Sequence, residues 1–192
     1  MSSPEPCTLV VDELVLRPWR DEDQAAVWAL AADPALRQWN ARGFGSPEEV
    51  REMVARLADW SGGNRASWAV TDAAGTLLGS VSLHSVDRAQ GDAQLGYWVA
   101  PAARGRRVAA RAADAVCRWA FAEGIDRVEL YHAVENEASG RVAARAGFTR
   151  EGRLRRSYRY GDGVKHDEFV WSRLSDDPPP ALSSRSQPPT GR

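Results

Sequence analysis

The stretch that most constrains this chain is "GYWVAPAARGRRVAARAADAVCRWAFAEG", residues 96–124. An extended apolar run meets Pro101, which cannot donate to a strand ladder, so pairing stops there and the sheet has reason to open. A short basic turn follows. It leads into a helix whose Val108, Ala112, Ala115, Val116 and Trp119 share one face, with Gly124 at the C′ position. Strand, tight turn and helix start in this order expose unpaired amides at the positive end of a helix dipole, a place for an anion. Arg104 and Arg106 can add charge-assisted bonds to phosphate oxygens. They can equally be loop decoration, because one glycine-containing turn is a weak motif by itself.

The flanking sequence supplies one sheet around that stretch. "ELVLRPW" alternates as a strand that ends at Pro18. In "DEDQAAVWALAA", Asp21 is the expected N-cap, with Ala25, Trp28, Ala29 and Ala32 as the apolar face. "DPALRQW" reads as a turn and short helix. "SPEEVREMVARLADW" opens with Ser46, Pro47 and Glu49, a capping box with proline at the first helical position. Val50, Met53, Val54 and Leu57 then form one stripe. From residue 66 the period changes: "ASWAV" and "TLLGSVSLHSV" read as a hairpin, and "AQLGYWVA" as the next strand. "DRVELYHAV" is a strand. "NEASGRVAARAG" is a short helix with Asn136 as N-cap and Gly147 as stop. "FTREGRLRRSYRYGDGVKHDEFVWSRL" is a hairpin turning at "GDG". The expectation is a single mixed α/β domain over residues 10–175. Residues 1–9 are expected to be flexible, and the Pro- and Ser-rich residues 176–192 disordered.

Whole-chain quantities narrow the classes. The 192 residues carry a formal net charge of −1, which argues against general attraction to nucleic acid or acidic membranes. Lys165 is the single lysine among 25 basic residues, a bias that looks like high-GC bacterial coding, so an individual arginine needs a structural reason before it carries weight. Cys7 and Cys117 form neither a metal pattern nor a disulfide framework. No apolar run reaches the roughly 20 residues a membrane helix needs, and the start lacks the features of a signal peptide. A cytoplasmic enzyme or binding protein is expected.

From residue 14 to 174 the chain resembles the GNAT superfamily of acyl-CoA-dependent N-acyltransferases, and within it the Rim-type branch that acetylates ribosomal-protein N-termini. The family signature of Arg or Gln, two residues, Gly, one residue, then Gly or Ala falls on Arg104, Arg107 and Ala109. "ELVLRPW", "LGYWV" and "NEASGRVAARAGF" match the branch in order and spacing. The resemblance implies a mostly antiparallel sheet, flanked by helices and splayed between "GYWV" and "VELYHAV", with the pantetheine arm of acetyl-CoA in the gap. Trp98, Val99 and Ala100 are the matching arm-binding positions. Arg104, Gly105, Arg106, Arg107, Val108 and Ala109 form the pyrophosphate loop. Asn136 matches the asparagine that touches the arm, and Ser139 the serine near the thioester sulfur. Arg107 departs from the pattern, since glycine there would let the backbone approach phosphate without a Cβ. A negative φ at 107 would leave its amide usable; a positive φ would strain it by about 1 kcal/mol or more.

Acyl transfer needs a base for the amine, donors for the oxyanion and a proton for the thiolate. Amides near Val99 suit the oxyanion, and Ser139 the thiolate. The tyrosine that many family members carry seven residues after the asparagine is Ala143 here. Where relatives place an acid two residues before "GYW", this chain has Gln94, leaving His84, Asp92 and Glu135 as base candidates. His132 lines the gap but also fits a satisfied core, and His166 with Asp167 reads as a surface pair. "RLRRSYRY" interleaves cations with aromatics yet fits a solvated strand. Trp19, Trp28, Trp39 and Trp60 can line an acceptor groove, although Trp28 and Trp60 fit the core. The expected activity is acetyl transfer from acetyl-CoA, without metal, to a primary amine, either a protein N-terminus or a small molecule. The alternatives are a degenerate domain that only binds a ligand or partner, and a different acyl donor. Dimerisation is common in the family.

Overall fold

The computed structural model describes residues 4–40 and 44–181, so the expectations for residues 1–3 and 182–192 lie outside the described residues. Eight strands form one sheet in the order β1-β2-β3-β4-β5-β6-β8-β7. They are β1 (Leu9–Val11), β2 (Leu14–Pro18), β3 (Ala66–Asp72), β4 (Leu77–Asp87), β5 (Asp92–Val99), β6 (Arg127–Ala133), β7 (Thr149–Arg159) and β8 (Lys165–Leu174). The helices are α1 (Asp23–Leu30), α2 (Pro34–Trp39), α3 (Pro47–Ala58), α4 (Val108–Ala122) and α5 (Glu137–Arg145). All neighbouring strands run antiparallel except β5 and β6, which are parallel. Among the described residues, no helix is long and apolar enough to cross a membrane.

Side-chain alternation sorts the sheet into two faces. Leu83, Ala93, Leu95, Val128 and Leu130 join Val108, Ala112 and Val116 of α4 in the larger core. Ala69 and Trp98 point the other way and pack with Val27, Val50, Val54 and Leu57 under α1 and α3. Helix α4 is buried almost all round, so its Asp114 needs a partner. Arg173 of β8 supplies one, its Nη1 donating to Asp114 Oδ1 at 2.8 Å and to the Ala146 carbonyl at 3.0 Å.

Helix α3 starts as its sequence predicts: Ser46 Oγ accepts from the Glu49 amide at 3.2 Å, and Glu49 reaches back to the Gly45 amide at 3.1 Å. Helix α1 does not. Its N-cap is Glu22, without a side-chain bond, and Asp23 turns inward to accept two bonds from Arg17 at 2.6 and 2.9 Å. That ion pair fixes the helix so that Asp23, Val27 and Ala31, one turn apart, face the sheet. Trp28 is left 41% exposed, so it is neither core nor part of the expected apolar face, whereas Trp60 is core.

The expected flexible start is partly held. Trp68 Nε1 donates to the Cys7 carbonyl at 2.9 Å, and β1 begins at Leu9. Beyond residue 175, Asp177 accepts from the Leu174 amide, and Pro180 packs beside Gly147.

Candidate active site

The parallel ladder between β5 and β6 runs from Asp92↔Arg127 to Leu95↔Leu130 and stops, although β5 continues to Val99 and β6 to Ala133. Past Leu95 each strand keeps its outer neighbour and loses its inner one. Gly79 fixes the β5 side, because a Cβ there would lie 2.4 Å from the Trp98 carbonyl oxygen. The Ala100 amide donates to the Leu78 carbonyl at 2.8 Å. Alternation along an antiparallel ladder then turns the polar backbone groups of Ala100, Trp98 and Gly96 toward β4, and those of Tyr97 and Val99 toward the gap. Two of the three expected arm-binding positions, Trp98 and Ala100, therefore offer no backbone group there. Val99 does, and so does Tyr97, which sequence reasoning passed over.

On the α4 face, Tyr97 and Ser139 bring their hydroxyl oxygens to 2.7 Å and so bridge the two arms of the fork. Burial pushes the Tyr97 phenol up to about 12, so it keeps its proton at neutral pH. Ser139 is placed by Asn136, whose side-chain oxygen accepts from the Ser139 amide at 3.2 Å and caps α5. Position 143, where other members carry a tyrosine, is fully buried alanine. A phenol thus reaches this site from the strand rather than from the helix.

The loop between β5 and α4 takes two left-handed residues, Gly105 at φ 76° and Arg107 at φ 59°. Gly105 meets nothing within 4 Å of where a Cβ would stand, so the space above it is open. Arg107 falls on the unfavourable branch, a left-handed non-glycine residue strained by about 1–2 kcal/mol. The Arg111 amide already bonds to the Arg107 carbonyl, which leaves the amides of Val108, Ala109 and Ala110 as the orphan donors of a 15-residue helix. Arg104 is committed elsewhere: its guanidinium makes a two-bond pair with Asp33, the cap of α2, at 2.6 and 3.1 Å. Arg106 is exposed. What this loop can offer an anion is therefore backbone amides with exposed Arg106 beside them, and Arg104 acts as a brace between the loop and α2.

The base candidates separate by position. Asp92 starts β5 at the closed end of the ladder, six residues and about 20 Å from Trp98. It is too far from the fork to take part. Glu135 is at the open end but faces the hairpin, its carboxylate 3.2 Å from His166 Nδ1. His166 Nε2 also contacts Asp162 at 2.9 Å, and Trp39 and Tyr160 pack edge-on to its ring. Its expected partner, Asp167, instead binds Arg153 and the Arg156 amide. Hydrogen bonds to the carboxylates of Asp162, then Glu135, raise the His166 pKa. His132 is satisfied core. Its Nδ1 is 2.7 Å from the Ala133 carbonyl and its Nε2 accepts from Trp171 Nε1 at 3.0 Å, which fixes it as the neutral Nδ1–H tautomer. Burial, the larger cause, lowers its pKa.

His84 is the remaining candidate. It pairs with Gln94 across β4 and β5, on the face opposite α4. A β-bulge follows at once, with Ser85 left-handed at φ 51°; such bulges re-aim side chains. The imidazole leans over Gly96, the first β5 residue beyond the ladder, with Nε2 3.4 Å from where a Cβ would be. Its one polar side-chain contact among the described residues is a long 3.4 Å approach of Nδ1 to Ser85 Oγ. Burial, then the nearby Arg65, lowers its pKa, so it is neutral at pH 7 with a ring nitrogen to spare. Ser139 and His84 thus stand on opposite faces of the sheet at the same fork.

The family described as Acetyltransferase (GNAT) domain matches residues 13–149. The chain belongs to the GNAT acetyltransferase family. It is 37% identical over 101 residues to the Bacillus subtilis protein named "Putative ribosomal N-acetyltransferase YdaF", a match that covers 52% of this chain and 55% of that protein. It is 28% identical to the "Uncharacterized N-acetyltransferase YoaA" of the same organism, covering 85% of this chain and 94% of the relative. Among solved structures it resembles Mycobacterium smegmatis RimJ in complex with CoA-disulfide. The TM-score there is 0.77 at 26% identity, over 88% of this chain and 86% of that one. A protein named as a ribosomal N-acetyltransferase and RimJ are thus among the proteins this GNAT domain resembles. No group of three or more His, Cys, Asp or Glu able to hold a metal occurs among the described residues.

Proposed function

We propose that this protein transfers an acetyl group from acetyl-CoA to a primary amine by direct attack in a ternary complex, with the thioester threaded through the fork between β5 and β6. The observation that carries the reading is the placement of two unlike proton-handling groups on opposite faces of one gap: the protonated Tyr97–Ser139 pair on the α4 side and neutral His84 on the other. The CoA-bound RimJ relative supports the choice of donor.

The pyrophosphate rests on the amides of residues 108–110 and the open space over Gly105. The arm pairs with the backbone of Tyr97 and Val99, and the Val99 amide faces the carbonyl oxygen where negative charge develops. The amine arrives from the side of Gly96, where the missing side chain leaves room. Its nitrogen bonds to the acetyl carbon, and its proton passes to His84 directly or through one water. The C–S bond then breaks, and the thiolate takes a proton from Ser139, which takes one from Tyr97; solvent returns a proton to Tyr97 and accepts the one held by His84, so both groups regain their starting states. Asn136 positions Ser139 through the α5 cap. The acceptor is a protein N-terminus, as the name of the YdaF relative suggests for that protein, or a small-molecule amine.

The test follows CoA release from acetyl-CoA in the presence of N-terminal peptides and small amines. Turnover with at least one amine, lost in His84→Ala while acetyl-CoA still binds, is the expected result. Tight CoA binding with no turnover on any amine would make the domain a binding module.

A further inference from the structure

Close to His84 lies Arg65, and close to Arg65 lies Arg56; neither guanidinium has a counter-ion among the described residues. Arg65 immediately precedes β3, whose first pair is Ala66↔Leu83, so the chain brings it beside His84, the residue after Leu83, and its charge acts on that imidazole; His84 itself lies on the face that carries Ser67, Ser82 and Gln94. Arg65 is half-buried. It makes no ion pair or hydrogen bond with any described residue, which is unusual for a guanidinium with five donors. The charge that acts on it is a second guanidinium, Arg56 of the last turn of α3. On the same face, Ser67 is fully buried and its hydroxyl has no partner among the described residues.

Carboxylates elsewhere on this face are already engaged. Glu129, which pairs with Gln94, is two strands from His84; it accepts from Arg127 at 2.8 and 3.1 Å and from Tyr131 at 2.6 Å. Glu151 accepts from Arg127 and Ser172, and Glu168 from Ser157 and Tyr160. This contrasts with Arg17, Arg104, Arg111, Arg127, Arg153 and Arg173, each of which has a carboxylate. Leaving two cations without an anion costs stability through their mutual repulsion unless a ligand brings the charge.

We infer that the acceptor carries an anionic group, a carboxylate or a phosphate, which docks between Arg65 and Arg56 while its amine reaches His84. The inference rests on the acyl-transfer reading, because it takes the space over Gly96 as the place where the amine arrives. Neighbouring strands lie about 4.8 Å apart, so a guanidinium at the entrance to β3 and an amine over β5 are spanned by a molecule of only a few bonds. Docking also acts on the base. Without the anion, burial and then the Arg65 charge keep the His84 pKa low; once the anion arrives the Arg65 effect is offset, and His84 becomes a stronger proton acceptor when the amine is present.

The experiment has an equilibrium arm and a kinetic arm on the full chain. The chain has three histidines, and the His84 ring signals are assigned by their loss in His84→Gln. Its titration is followed by NMR with inorganic phosphate, phosphoethanolamine, β-alanine or ethanolamine. The expected result is a saturable rise of the His84 pKa by about one pH unit with the anionic probes and none with ethanolamine. In Arg65→Ala the starting value is already higher and the response disappears, while Arg65→Lys retains part of it. In the kinetic arm, kcat/KM favours phosphoethanolamine or β-alanine over ethanolamine by about tenfold, and the preference vanishes in Arg65→Ala. The better of the two anions identifies the group. An unmoved His84 pKa with every anion, or an unchanged preference in Arg65→Ala, overturns the inference. A His84 response without turnover of any amine keeps the anion site and removes the transferase reading instead.

Discussion

The two sides of the fork are built by different means. On the α4 side the proposed cofactor surface is nearly continuous in sequence: Tyr97, Val99, the turn at Gly105 and the first amides of α4 follow one another, and Ser139 comes from the next strand–helix unit. Its polar groups are satisfied in pairs, as in Tyr97 with Ser139 and Asn136 with the Ser139 amide. On the opposite side, His84, Arg65, Trp19 and Trp98 come from separate strands and loops, and the Arg65 guanidinium has no partner among the described residues. The Trp19 indole nitrogen is buried and unbonded among the described residues, 6.2 Å from Trp98 by ring centroids. A surface that holds one invariant molecule can be closed on itself, whereas one that receives a variable acceptor is left with open valences.

The largest effect separates the two sides directly. His84→Ala lowers kcat by about 10²–10⁴, while calorimetric affinity for acetyl-CoA stays at the wild-type value; a parallel loss of affinity would merge the two surfaces. In wild type the same imidazole must be neutral to act, so its contribution to the rate rises with pH through a value below the ordinary 6.5. The acceptor amine adds its own limb at about 8 or above, so the His84 limb is the one that disappears in His84→Gln; a kcat/KM profile unchanged below 6.5 in that variant would exclude His84 as that base.

Breaking the closed side costs folding rather than chemistry. Asp114→Ala strands the buried Arg173 guanidinium beneath α4 and lowers unfolding free energy by about 3–5 kcal/mol in a urea titration. A loss under 1 kcal/mol would mean that the pair does not brace the cofactor helix. Ser139→Ala removes the inner member of the hydroxyl pair and reduces kcat by about tenfold, the worth of one hydrogen bond, with KM for the amine unchanged. An equal effect on the amine KM would move Ser139 to the acceptor side. The smallest effect belongs to Arg107→Gly. Relief of left-handed strain and the added freedom of the unfolded glycine nearly offset each other, so stability changes by less than about 1 kcal/mol.

The same division explains what the sequence made legible. The stop at Pro101, the stripe Val50, Met53, Val54 and Leu57, and the Asn136 cap rest on neighbours within one or two turns, and each appears in the fold. The α1 face was misread because Asp23 is turned inward by Arg17, a partner on a different element that no periodicity reports. Asp92 and Glu135 were reasonable as residue types, but strand register puts one at the closed end and ties the other to His166. Tyr97 had a signal: it is the odd-numbered neighbour of Val99, so both must point their backbone into the gap once Ala100 bonds to β4. The unpaired state of Arg65 had none, since in a chain of so many arginines only the fold tells which ones lack a carboxylate.

The central claim is that the fork between β5 and β6 holds acetyl-CoA despite an arginine in left-handed conformation at the helix entrance. Isothermal titration of the purified protein with acetyl-CoA tests it most directly. One site of micromolar affinity, weakened when Gly79→Ala pushes against the Trp98 carbonyl and distorts the β5 arm, is the predicted result. Absence of binding heat across temperatures and buffers, with the protein folded, would contradict the account.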